Sequence, residues 1–206
     1  MVNVCQPILT VNECDEDLVP ANPPYQNVLT WTLPPGCLTS TIATYTIYYK
    51  PTVEAAFEVL ATVPGTQMSY THNIPIRSFA GCYAVTATDV NGNTSVYTQE
   101  DVVCKDNCIN FSLPNIFTPN GDGVNDVFTP KKGAAFIRTA TLRMFNRWGN
   151  KVFEGDTDPA LNWAGVDNSG KALSDGTYFY QVEVEFYGLS ATPQKTIYKG
   201  WVEIIH

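Results

Sequence analysis

The densest cluster of candidate ligand atoms in the chain is Asn120-Gly121-Asp122-Gly123-Val124-Asn125-Asp126. Carboxylates, a carboxamide and backbone carbonyls packed this closely, with glycines that allow a tight wrap, suit a calcium ion. Asn120, Asp122 and Asp126 would supply side-chain oxygens and Val124 a carbonyl. The spacing differs from an EF-hand, which alternates acids and closes with a later Glu. The same residues also suit a turn in which Asn and Asp side chains cap their own backbone. Calcium is the one cofactor for which the sequence offers a candidate site.

Catalytic chemistry finds no constellation. There is no G-x-S-x-G elbow, and two histidines, His72 and His206, leave little for a triad. His72 ends a strand-like run and reads as structural. Glu183 and Glu185 share a strand face, as a glycosidase pair would. A carboxyl that must donate a proton needs an apolar pocket, however, and this face reads as solvated. No Gly-rich phosphate loop follows a strand and opens a helix. The expectation is a non-enzyme with no catalytic residue. Arg147 in Asn146-Arg147-Trp148-Gly149 could stack on an aromatic ring; the alternative is a hairpin turn whose Trp148 covers the sheet edge. The Asn93-Thr94-Ser95 and Asn110-Phe111-Ser112 sequons read as incidental.

Cysteine placement carries more. Cys5, Cys14, Cys37, Cys82, Cys104 and Cys108 all lie in the first half of the chain. An even number confined to one region predicts disulfides and an oxidising compartment. Zinc is the rival, since Cys104 and Cys108 have a feasible spacing. No C-x-x-C occurs, and neither histidine sits in a ligand-like pattern.

The elements that position these residues follow from composition. The chain has 206 residues, 44% hydrophobic and 16% charged, with 14 Gly and 14 Pro. Tyr, Phe, Thr and Val abound, which favours many short strands. A net charge of −8 excludes a nucleic-acid surface and electrostatic docking to anionic lipid. No apolar run approaches the ~20 residues of a bilayer span, so direct membrane insertion is not expected. Met1 has no basic-then-apolar leader behind it and reads as an artificial start, so the chain is expected to be the end of a longer protein.

Charge and cysteines together mark a boundary. Residues 1–109 carry 3 basic and 10 acidic side chains, residues 110–206 carry 9 and 10, and the change falls at the polar connector Cys104–Cys108. Two domains are therefore expected, 1–109 and 110–206. In the first, strand-like runs recur at Ile8–Val11, Val28–Leu33, Tyr45–Tyr49, Phe57–Thr62, Met68–Thr71, Tyr83–Thr88 and Ser95–Val103. Alternation puts Tyr83, Val85 and Ala87 on one face, and Asn91-Gly92 supplies a hairpin turn. Short strands at this frequency predict a β-sandwich, with Trp31 the candidate buried tryptophan. The segment resembles a fibronectin type III domain in Trp31, Tyr45-x-Ile47-x-Tyr49 and Tyr83-x-Val85-x-Ala87 followed by Asp89 and Asn91-Gly92. That resemblance implies that Cys82 and Cys104 meet at one end and Cys5 and Cys37 at the other, although six cysteines leave connectivity open.

The second segment has strand candidates at Phe136–Phe145, Lys151–Glu154, Thr177–Tyr187 and Thr196–Ile205, with turns at Gly149-Asn150 and Asp175-Gly176. Tyr178, Tyr180, Val182, Val184 and Phe186 share one face, with Gln181, Glu183 and Glu185 on a wet one. A second sandwich is expected. The fold class is thus all-β, with two tandem immunoglobulin-like or fibronectin III-like β-sandwich domains.

Ordered blocks in this segment are more specific than its strands. They run Pro114-Asn115-Ile116-Phe117-Thr118-Pro119-Asn120-Gly121-Asp122-Gly123-x-Asn125-Asp126, Phe145-Asn146-Arg147-Trp148-Gly149-x-Lys151-Val152-Phe153, Trp163-x-Gly165, Asp175-Gly176-Thr177-Tyr178-Phe179-Tyr180 and Lys199-Gly200-Trp201-Val202-x-Ile204-Ile205. This resembles the gliding-motility-associated C-terminal domain of Bacteroidetes surface proteins, the type B sorting domain of the type IX secretion system. A fibronectin-like neighbour with cysteines is similar to the region preceding that domain in large gliding adhesins. The resemblance implies a secretion and surface-anchoring module, exported through the periplasm and outer membrane to the cell surface. Its partners would be the outer-membrane type IX translocon with its shuttle and associated outer-membrane proteins. The last strand would be the recognition element, through Lys199, Gly200, Trp201, Val202, Ile204 and Ile205. A strand at a sheet edge offers unpaired backbone groups for β-augmentation, and Trp201 could anchor the contact; alternatively Trp201, Ile204 and Ile205 close the core. Two positions depart from the family pattern: Trp163-Ala164-Gly165 replaces Trp-Asp-Gly, and the terminal basic residue is His206. A carbohydrate- or protein-binding β-sandwich module, or a passive stalk spacer, is the alternative function.

Overall fold

The computed structural model describes residues 4–15, 18–20, 23–131, 134–157, 161–193 and 195–206; Met1 lies outside them. The described residues form β-strands, short 3-10 turns and loops. No helix among them is long and apolar enough to cross a membrane. The chain divides into two compact units. The first comprises Met1–Asp15, Asn22–Asn107 and Gly188–Thr192, the second Glu16–Ala21, Cys108–Tyr187 and Pro193–His206.

The first unit stacks two antiparallel sheets. One holds β1 (Ile8–Val11), β2 (Tyr25–Thr32) and β5 (Ser69–Ile74) in the order β1-β2-β5. The other holds β3 (Ile42–Lys50), β4 (Glu58–Pro64), β6 (Gly81–Asp89) and β7 (Val103–Lys105) in the order β4-β3-β6-β7. This three-on-four arrangement is fibronectin III-like. On β2 the period of two buries Tyr25, Asn27, Leu29 and Trp31 and exposes their neighbours. Trp31 packs edge-on against Tyr45, ring centroids 5.4 Å apart. Burying a side chain of this size contributes about 1.5–3 kcal/mol.

β6 departs from simple alternation. Tyr83, Val85 and Ala87 face the core as the sequence suggests, but Ala84 and Thr86 on the other face are buried too. Tyr48, the cross-strand partner of Ala84, meets the Tyr97 ring at 5.3 Å, and Tyr97 meets Phe57 at 5.5 Å. The expected seventh strand, Ser95–Val103, is mostly loop. Asp101 accepts the backbone N–H and the hydroxyl of Thr98, at 2.7 and 2.9 Å, which caps a 3-10 turn and postpones pairing until Val103.

Cys82 and Cys104 are direct cross-strand partners joined by a disulfide, Cα–Cα 4.0 Å, and Cys5 is joined to Cys37. Cys14 and Cys108 are disulfide-bonded as well, and no described cysteine is free. Sulfurs oxidised in this way cannot serve as the thiolates of a zinc site.

Beneath the sheets lies a polar chain. Asn27 donates its two amide protons to Phe79 O and Tyr83 Oη, both at 2.8 Å. The Tyr83 hydroxyl lies 2.9 Å from His72 Nδ1. Burial pushes Tyr83 far above the usual phenol range and pushes His72 below the usual imidazole range. The hydroxyl, having accepted from Asn27, donates its own proton to a neutral His72 through Nδ1. His72 is thus a structural acceptor, packed edge-on to Tyr49 at 4.6 Å. Because its folded pKa lies below the unfolded value near ~6.5, protonation favours the unfolded chain, and stability falls as pH drops through that value. The melting temperature of this unit is expected to decline between pH 7.5 and 5.5, and His72→Gln to flatten the decline. Parallel curves for the two proteins, by circular dichroism, would refute this assignment.

The second unit is a five-stranded sheet in the order β10-β9-β11-β12-β8, from β8 (Ile116–Phe117), β9 (Ile137–Phe145), β10 (Lys151–Thr157), β11 (Gly176–Phe186) and β12 (Lys195–Ile204). All neighbours are antiparallel except β12 and β8. Leu142, Met144, Val182, Val184, Val202 and Ile204 line its wholly buried face. The opposing layer is made of loops: Phe128 and Trp163 exchange backbone hydrogen bonds at 2.8 and 3.2 Å, and Leu161 and Phe117 fill in around them. The Trp163 indole N–H donates to Val166 O at 2.9 Å. Gly165, at φ +73°, passes so close to the Phe117 ring that a Cβ would lie 3.2 Å from it.

Candidate functional site

β11 and β12 form a long antiparallel hairpin in unbroken register from Gly176↔Ile204 to Glu185↔Lys195. The pleat decides the fate of every residue on β12. Tyr198, Gly200, Val202 and Ile204 turn inward, and Lys195, Ile197, Lys199, Trp201 and Glu203 turn outward. The six residues singled out in the sequence are therefore divided. Lys199, Trp201 and Ile205 are exposed, Trp201 by 47%. Val202 and Ile204 are 0% exposed, so their side chains belong to the core and lie beyond a partner's reach. Gly200 is opposite Tyr180, whose hydroxyl occupies the space a Cβ would need, so this position is set by packing. Of the three residues expected to close the core, Ile204 does so and Trp201 and Ile205 do not.

Among the described residues β12 has no strand partner along most of its outer edge, although Phe111, in the segment leading into β8, packs against Tyr198 at 4.5 Å. β8 pairs only with Glu203 and Ile204. Toward that lane Glu203 N–H donates to Asn115 O at 2.9 Å, and Ile205 N–H donates to Phe117 O at 3.3 Å. Backbone groups alternate along a strand, so the N–H and C=O of Ile197, Lys199 and Trp201 project into the same lane. Among the described residues no strand occupies it.

The outer face of the sheet is ordered into rows by the same register. Phe179 is the cross-strand neighbour of both Phe145 and Trp201, and this row is followed by Arg143, Gln181 and Lys199, then Thr141, Glu183 and Ile197. Phe145, Phe179, Gln181, Lys199 and Trp201 line a shallow groove. Phe145 and Phe179 escaped the sequence reading; the available signal was an aromatic on the strand face assigned to Gln181 and Glu183. The carboxylates on this face are engaged. Lys195 lies 2.7 Å from Glu183 and 3.9 Å from Glu185. Arg143 and Lys151 both pair with Glu154. Hydrogen bonds from Lys195 and from Lys151 hold Glu183 and Glu154 below the usual carboxylate range, the opposite of what a proton-donating acid requires.

The Asn120–Asp126 loop closes on itself. Asp126 accepts the N–H of Gly121 and of Gly123 with its two oxygens, each at 2.7 Å. Asp122 accepts from Val124 N–H at 2.8 Å, and Asn120 accepts from Asp122 N–H at 3.1 Å. Thr118 donates to the Val124 carbonyl. Gly121, Gly123 and Asn125 take positive φ, which makes the wrap feasible. No group of three acidic, His or Cys side chains among the described residues is arranged to hold a metal ion.

Two other sequence features have definite places. Asn146 caps the β9–β10 turn, accepting Trp148 N–H at 3.1 Å and Asn150 N–H at 3.0 Å. Arg147 stacks over Trp148 at 5.1 Å, and Trp148 is 75% exposed rather than covering the sheet edge. His206 Nδ1 lies 2.7 Å from Asp175, and hydrogen bonding from His206 holds Asp175 below the usual carboxylate range.

No curated protein matches the chain. Similar solved structures include the chicken CNTN1 FN1-FN3 domains, 14% identical, covering 95% of this chain and 64% of that one at a TM-score of 0.34. The central fibronectin-III array of RIM-binding protein is 13% identical, with coverages of 98% and 70% and a TM-score of 0.34. A tetra-tandem repeat in the extending region of a large adhesion protein is 14% identical, with coverages of 97% and 49% and a TM-score of 0.35. The chain thus spans less than two thirds of the first and third of these. Residues 111–204, which include all five strands of the second unit's sheet, match the family described as CHU_C Type IX secretion signal domain.

Proposed function

We infer that the second unit is a folded export address, non-catalytic, that directs the protein through the type IX machinery to the cell surface. The family match supports the sorting role. The observation that supports β12 as the element read by outer-membrane partners is its open edge, from which Ile197, Lys199 and Trp201 offer backbone donors and acceptors. Beside that edge stand the half-exposed Trp201 and Ile197 at 53% exposure, apolar side chains that a partner strand would cover. The first unit serves in this reading as a disulfide-framed spacer of a larger surface adhesin.

Fusing residues 110–206 to a periplasmic reporter should bring the reporter to the surface of a strain with type IX machinery, and removing Lys199–His206 should abolish this. Lys199→Pro is the finer probe. It deletes one outward N–H and leaves the β11 ladder intact, because edge positions whose N–H faces solvent tolerate proline. Surface display measured by protease accessibility should fall severalfold while the circular dichroism spectrum persists. A reporter retained inside with the intact domain would remove the sorting assignment, and display unchanged in both variants would remove β12 as the element that is read.

In the same reading the Asn120–Asp126 loop is a self-capped turn, supported by its backbone hydrogen bonds. Asp126→Ala, which leaves the exposed amides of Gly121 and Gly123 to water, should lower the unfolding free energy by about 0.5–1.5 kcal/mol with or without calcium in urea titrations. Calcium that stabilises the wild-type protein but not the variant would instead make the loop an ion site.

A further inference from the structure

We propose that the outer face of the β9–β11–β12 sheet binds an extended, uncharged glycan whose sugar rings stack on the Phe145–Phe179–Trp201 row. Single exposed aromatics are common on protein surfaces and need no explanation. Here three occupy one cross-strand line, Phe179 46% and Trp201 47% exposed, and they line a groove. With strands ~4.8 Å apart, the row runs ~10 Å across the sheet.

The rows on either side decide what kind of ligand fits. On one side lie Gln181 and Lys199, on the other Thr177 and Glu203, each a cross-strand pair. Each flank thus carries side chains that can donate or accept, and Lys199 and Glu203 contribute opposite charges at matching positions. A pyranose ring has the complementary make-up, with apolar C–H faces and a rim of hydroxyls that both donate and accept. A lipid tail would leave these flanks unmatched, and a strongly anionic ligand would meet Glu203. Arg143, the remaining cation of the adjoining row, is already committed to Glu154.

Size argues in the same direction. A stable protein interface needs about 20–30 residues a side. The groove has seven lining residues, two of which, Tyr180 and Gly200, form its floor. A straight row suits an equatorially linked chain, which lies flat, better than an axially linked one, which coils. The face shares Trp201 with the edge of β12, but Phe145 and Phe179 lie on β9 and β11, and glycan binding is read on the purified chain without any export partner, so failure here is distinguishable from failure of export.

The test uses the full 206-residue chain, isotope-labelled for NMR and titrated with cellohexaose, with maltohexaose as the coiled comparison. Shifts should centre on the amides of Phe145, Phe179 and Trp201 and on the Trp201 indole. Trp201→Ala and Phe179→Ala should each weaken binding about tenfold or more, in the manner of a buried aromatic anchor. Phe179→Tyr, which keeps the stacking ring, should stay near wild type, as should Trp148→Ala. Both truncations are at exposed positions, and circular dichroism checks that they fold. No shifts at millimolar cellohexaose, shifts centred on Trp148, equal binding of maltohexaose, or undiminished binding by Trp201→Ala would each overturn the proposal.

Discussion

The second unit depends on the register of the β11–β12 hairpin. Because a strand's side chains alternate strictly, a slip of β12 by one residue against β11 would send Val202 and Ile204, which share the core face with Val182 and Val184, into water and press Lys199 and Trp201 inward. Burial of those four aliphatic side chains, each wholly enclosed, fixes the pairing. Everything functional on β12 then follows as a by-product of core packing. The residues whose backbone faces the open lane are the same ones whose side chains face outward, so one register sets both the edge and the face.

Register also explains why the two surfaces can be chemically different. The edge is made of peptide groups and is indifferent to side-chain identity, whereas the face is written in rows of aromatic, polar and charged residues. Tyr180 lies opposite Gly200, and its hydroxyl fills the space beside a position with no side chain. In the first unit the analogous organising contact is polar. Asn27, Tyr83 and His72 form a chain in which the Tyr83 hydroxyl keeps its acceptor only while the imidazole is neutral.

Much of this was legible in the sequence where the signal is local. Alternation marked the long strands β9, β11 and β12 within a residue or two, and Trp31 was identifiable as a core tryptophan. The fibronectin-like pattern brought Cys5 to Cys37 and Cys82 to Cys104, as the disulfides show. Non-local arrangements were not legible. Phe128 and Trp163 bridge across 35 positions to make the layer opposite the sheet, and nothing in either neighbourhood announces it. Ser95–Val103 looks strand-like residue by residue, yet one carboxylate on Asp101 diverts it. Trp201 and Ile204 look equally apolar in one dimension, and only pairing with β11 separates an exposed ring from a core side chain.

The brevity of β8 has a further consequence. Its two residues lie in the same lane as the open part of β12 and run parallel to it. Any guest strand entering that lane meets a fixed stop at Glu203. Between Lys195 and that stop the strand is eight residues long, a berth of ~26 Å at 3.3 Å per residue. The fold therefore sets one boundary of the unpaired stretch, at the point where β8 takes over Glu203 and Ile204.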